Sequence, residues 1–153
     1  LPGVLAGVVR TGDPCAGELF VQGRVGHDGT ARRFDDVHGV GWRLVTVDPA
    51  GHGTLAPEAA AWFADIGGAV VTVTPDADLD GAYSAWFATH GVVAALQRPD
   101  FHLFGAATAA GDVDALVDDL RRALPASSGL PDPDADRAAG TRPTLPATTR
   151  GAP

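Results

Sequence analysis

The side chains in this sequence that could do chemistry are few and scattered. Its nucleophile is a single cysteine, Cys15. One cysteine excludes an intramolecular disulfide, a dithiol redox motif and a cysteine-based zinc cluster. A lone cysteine is usually a small apolar filler, and no base is recognisable beside Cys15, so it reads as structural. The five histidines are His27, His38, His52, His90 and His102. None pair at i,i+4 on a helix and no His-Glu-x-x-His occurs, so their spacing names no metal centre. Asp76, Asp78 and Asp80, followed by Gly81, open like a calcium loop. The Glu that such a loop needs at its twelfth position is missing, so the run reads as an acidic loop with Asp80 capping the next helix. All 11 basic residues are arginine, which removes Schiff-base and P-loop lysine chemistry.

The elements that would position these groups follow from hydrophobic periodicity. Residues 19–25 have strand character and end near Asp28-Gly29, a strong turn signal, after which residues 30–37 could return as a short strand. Residues 42–47 are rich in apolar and β-branched types and predict a strand. Thr54 can cap a helix with Pro57 and Glu58 in its first turn. Its buried face would carry Leu55, Ala59, Trp62, Phe63 and Ile66, and Gly67-Gly68 would stop it. Residues 69–74 read as a central strand covered on both faces. A helix over 81–89 carries Tyr83, Trp86 and Phe87. Strands over 92–97 and 101–106 flank the turn Arg98-Pro99-Asp100, whose charges are expected to be solvated or paired locally. Asp112 would cap a last helix with the stripe Val113, Leu116, Val117, Leu120 and Leu124, and Asp118 with Arg122 as an exposed i,i+4 pair. Trp62, Phe63, Trp86 and Phe87 read as core or as an interface face.

A strand-helix-strand start favours a right-handed parallel crossover, and the Pro99 turn makes the last two strands antiparallel. The expected fold class is therefore α/β: a thioredoxin-like mixed sheet with helices on both faces. Residues 1–16, rich in Gly and Pro, predict an N-terminal linker, and residues 17–124 the domain. Six of the 12 prolines lie from Pro125 onward without apolar periodicity, which predicts a disordered C-terminal tail over 125–153. At 153 residues and 45% hydrophobic, the chain has one domain's worth of core. Its net charge of -8 disfavours nucleic acid, its apolar runs are too short for a membrane span, and a cytoplasmic location is expected. The sequence starts at Leu1 and holds no Met, which predicts a piece of a longer protein.

Four segments, in order, resemble the C-terminal domain of flavin-dependent aromatic-ring hydroxylases of the 3-(3-hydroxyphenyl)propionate hydroxylase type. They are Gly17-Glu18-Leu19-Phe20-Val21-Gln22-Gly23, then Phe34 to Trp42, then Asp80 to Phe87, then Gln97 to Gly105. The resemblance implies a parent monooxygenase that uses FAD and NAD(P)H to hydroxylate phenolic compounds. The flavin and substrate sites would lie in a preceding FAD-binding domain of the same chain. This domain would contribute packing or homo-oligomer contacts. It implies no catalytic, cofactor-binding or metal-ligating residue here, and no cofactor in this fragment. In a working thioredoxin the Cys-x-x-Cys would stand at Asp48-Pro49-Ala50-Gly51-His52-Gly53, which contains no sulfur, and a proline is absent near His90-Gly91-Val92. A free-standing thioredoxin-like redox or interaction protein is the alternative.

Overall fold

The computed structural model describes residues 8–47 and 54–124. The expected C-terminal tail, the loop 48–53 with His52, and residues 1–7 lie outside the described residues. A hairpin comes first, β1 (Arg24–His27) and β2 (Thr30–Arg33). Asp28 and Gly29 join its strands, both with positive φ (48° and 73°). Two left-handed residues make the turn whose twist matches a hairpin, as Asp-Gly predicts. A short helix, α1 (Phe34–His38), takes the place of the strand expected to run on to residue 37. Phe34 is fully buried there, and Asp35 and Asp36 suit a helix's first turn.

The main sheet has the order β4-β3-β5-β6, with β3 (Arg43–Thr46), β4 (Ala69–Thr72), β5 (Ala94–Gln97) and β6 (Leu103–Ala107). β3 and β4 are parallel, whereas β5 runs antiparallel to β3 and β6 to β5. The helices are α2 (Pro57–Asp65), α3 (Ala82–His90) and α4 (Val113–Ala123). Alternate strand residues serve two cores. Leu44, Ala94, Leu96 and Phe104 pack with Phe63 of α2 and Leu116, Val117 and Leu120 of α4. Val45, Ala95 and Leu103 face the other way, to Tyr83 and Phe87 of α3, with Phe20 and Phe34. This is the expected thioredoxin-like mixed sheet with helices on both faces.

Five expectations need correction. The strand 69–74 is not central: β4 is an edge, and Ala69, Val70 and Thr72 are exposed. An all-apolar run cannot by itself distinguish a central strand from an edge. Thr54 does not cap α2; its N-cap is Ala56, whose N–H donates to Asp114 Oδ1 of α4 at 2.8 Å. Asp80 does not cap α3. That role falls to buried Asp78, which accepts from the N–H groups of Ser84 (2.7 Å) and Tyr83 (3.4 Å). In α4 Arg122 pairs with Asp119, not Asp118, and Asp112 makes no side-chain cap.

The strand character of residues 19–25 begins later, at Arg24; before it, Leu19 only bridges His102. Gly67, with φ at 76°, stops α2 as expected. Gly68 is held by proximity: a Cβ there would stand 2.5 Å from the Phe63 carbonyl and 2.7 Å from its ring. Residues 8–16 of the expected N-terminal linker lie against the edge of β6. Arg10 donates its N–H to the Phe104 carbonyl and Gly17 to that of Leu103, while Leu103 donates to the Glu18 carbonyl, each at 2.8 Å.

Candidate functional site

The β6 edge and the C-terminal half of α4 enclose a cleft of about 800 Å³. Its polar lining includes Arg10, Asp13, Cys15, His90, Asp119 and Arg122. Asp13 is mostly buried, and its carboxylate accepts from the N–H groups of Ala106 (2.8 Å) and Cys15 (2.9 Å). Arg10 donates Nη1 to the Ala106 carbonyl at 3.0 Å and Nε to Asp119 at 2.8 Å. Two side chains therefore complete the hydrogen bonding of one edge residue, as a neighbouring strand would. Both arginines of the cleft are matched by Asp119, so neither presents an unopposed charge to an anion. This arrangement seals a sheet edge.

Cys15 is buried in the core on the α3 side. Burial, with Asp13 and Glu18 adding to it, pushes its thiol up to about 11. Such a thiol is protonated at neutral pH and a poor nucleophile. The four described histidines do not converge. His27 meets Asp28 on the hairpin, and His38 leans on the Phe34 ring at 4.6 Å. His90 stacks on Trp86 at 4.2 Å and donates Nδ1–H to the Trp86 carbonyl at 2.9 Å, with Glu18 3.5 Å from Nε2. His102 donates Nδ1–H to the Asp100 carbonyl. Among the described residues no three His, Cys, Asp or Glu side chains are grouped to hold a metal ion.

Asp80 joins α3's approach loop to the hairpin: it accepts from Arg24 Nη2 at 2.6 Å and from the Arg24 backbone N–H at 2.9 Å. The hydrogen bond from Arg24 holds its carboxyl below the usual range. Arg98 pairs with Asp100 at 2.7 Å, the local pairing expected of that turn. Phe63 and Phe87 are core, while Trp62 and Trp86 stay half-buried, Trp62 under the Arg121 guanidinium. Sequence reasoning missed Arg10, Asp13 and Arg43, and read Asp78 only as part of an acidic loop. Their partners are distant in the chain or are backbone atoms, so no local spacing marks them.

The N-termini of α2 and α3 do not fit a flavin diphosphate. A flavin diphosphate binds helix N-termini through free backbone N–H groups after a glycine turn. Here a carboxylate already occupies the N-terminus of α2 (Asp114) and that of α3 (Asp78). A diphosphate would meet like charge at both.

Comparison with known proteins bears on the same fold. No curated protein matches the chain. Among solved structures it resembles OxyS, an anhydrotetracycline hydroxylase from Streptomyces rimosus, at 21% identity and a TM-score of 0.50. The likeness covers 74% of this chain and 21% of that one. It also resembles the flavin-dependent monooxygenase PieE, solved with FAD and substrate, at 21% identity and a TM-score of 0.49, over 70% of this chain and 19% of that one. The chain thus spans about a fifth of the length of these solved relatives. The family model of the HcaD C-terminal domain matches residues 17–123, nearly the whole described fold, and the chain belongs to that family.

Proposed function

We propose that this chain is the C-terminal accessory domain of an FAD- and NAD(P)H-dependent monooxygenase that hydroxylates phenolic aromatic compounds in the cytoplasm. The observation that carries this reading is the family match over residues 17–123. The domain serves the parent through packing, against the preceding FAD-binding domain or between copies, and supplies no catalytic, metal or flavin-binding residue. The carboxylates on two helix N-termini and the protonated, buried Cys15 support that division of labour. The proposed boundaries are a domain over 17–124, a preceding segment through residue 16 of which residues 8–16 lie along β6, and a tail over 125–153.

The test begins with the reading frame upstream of Leu1. A Gly-x-Gly-x-x-Gly turn between a strand and a helix is expected some hundreds of residues earlier. The purified longer protein should carry flavin absorbance and oxidise NADH or NADPH faster when a phenol is added. Cys15→Ser should leave that rate within about twofold, because the thiol is outside the chemistry. A colourless longer protein, or one whose turnover depends on Cys15 at unchanged stability, would overturn the reading.

A further inference from the structure

One end of the main sheet gathers the N-terminal ends of β3, β4 and β6 with the C-terminal end of β5. Four large apolar side chains are exposed among the described residues, and three of them lie at this end. Leu19 bridges His102 just before β6, Val70 is the second residue of β4, and Val40 tips the loop before β3. Val40 is the most exposed of the four, at 67%.

The loop holding Val40 is unusually fixed for an exposed connection. The Arg43 side chain is buried beneath it and donates to the carbonyls of His38 (2.6 and 2.9 Å), Val40 (3.2 Å) and Trp42 (2.8 Å). A fifth bond reaches the Gly67 carbonyl at 3.4 Å, tying the loop to the start of β4. Gly41 makes room: its φ is 150°, and a Cβ there would stand 2.7 Å from Arg43 Nη1. An exposed apolar knob on a loop ordered beforehand loses little entropy on docking.

The chain also arrives at this end. Arg98, which follows the last residue of β5, donates Nη1 to the Val8 carbonyl at 3.1 Å. Gln97 is the cross-strand partner of Arg43, so Val8 is tethered at the same end as the Val40 loop. Any preceding part of the chain enters the described fold at Val8, at the end of the sheet where the exposed apolar residues are concentrated.

We propose that the preceding FAD-binding part of the parent chain docks on this end of the sheet, with Val40 as the anchor and Leu19 and Val70 beside it. The inference rests on the parent proposed above. The test uses the longer protein with one new cysteine, Val40→Cys or Leu79→Cys. Leu79 is also exposed but lies beyond the opposite end, after β4. Maleimide labelling, located by peptide mass, should be at least about tenfold slower at position 40 than at position 79, because a docked thiol is shielded. Val40→Asp should raise proteolysis between the two parts and leave flavin absorbance in place; Leu79→Asp should do neither. Equal labelling rates at the two positions in a flavin-bearing protein would overturn the docking site and leave the proposed function standing. Slow labelling at position 40 that speeds up on dilution would assign the surface to a second copy and overturn the proposal. A parent without flavin would instead remove the reading on which it rests.

Discussion

Cys15 and His38 show how burial changes what a side chain can do. The thiol of Cys15 is pushed up to about 11, first by burial and then by Asp13 and Glu18. At neutral pH the folded protein should therefore present about a hundredfold less thiolate than a free cysteine. Iodoacetamide should modify it slowly in the folded protein and at the ordinary rate in urea; fast modification of the native protein would contradict this. Because the folded pKa lies above the unfolded one, this group's stabilisation is full below about pH 9 and lost as pH rises through about 11. His38 goes the other way. Burial, with Arg43 beside it, lowers its pKa from the ordinary 6.5. The unfolded chain then binds the proton first, so stability is retained above 6.5 and lost as pH falls through it to the lower folded value. The urea midpoint of the wild type should drop over that range, and His38→Gln should reduce the drop. An unchanged pH profile in the variant would show that His38 is not its source.

At the scale of elements, the helix starts carry the sharpest prediction. Asp78 accepts two backbone N–H groups of α3 from a buried position, whereas Asp80 is exposed and holds Arg24. Asp78→Ala should cost about 1–2 kcal/mol, the ordinary range for a lost cap. Asp80→Ala should cost less, since an exposed ion pair is largely screened by solvent. Denaturation midpoints at constant slope would check the order, and the reverse ranking would restore Asp80 as the cap. The sequence read these helices well and their caps badly. The stripe Val113, Leu116, Val117 and Leu120 is buried as its spacing predicts, because periodicity is a property of one element. The cap of α2 comes from Asp114, 58 residues away from Ala56, and no local motif encodes such a partner.

Across the whole molecule the two sheet edges are treated differently. β4 leaves Ala69, Val70 and Thr72 exposed, while β6 is closed by the segment 10–20. Asp13→Ala tests that closure. It would leave the N–H groups of Ala106 and Cys15 without their carboxylate, a cost of about 1–3 kcal/mol per buried group left unpaired. The melting temperature should fall, and the Ala106 amide should exchange faster with solvent. A change no larger than that of an ordinary surface substitution would return residues 8–16 to the linker expected from their Gly and Pro content. That expectation failed to foresee the closure because Arg10 meets Asp119 across 109 residues and Asp13 meets Ala106 across 93.

By itself the sequence determined the type and order of the main strands and helices, the Asp-Gly hairpin turn and, through them, a thioredoxin-like class. Each of these rests on side-chain alternation, helical spacing or turn stereochemistry, which act over a few neighbouring residues. The tertiary structure decided that β4 is an edge, that Asp78 and Asp114 are the caps, that Arg10 and Asp13 seal β6, and that Arg43 fixes the Val40 loop. Those outcomes depend on which surfaces meet once the sheet has formed. A buried polar group takes whatever partner folding brings within hydrogen-bond reach, and for most of these groups that partner lies tens of residues away in the chain.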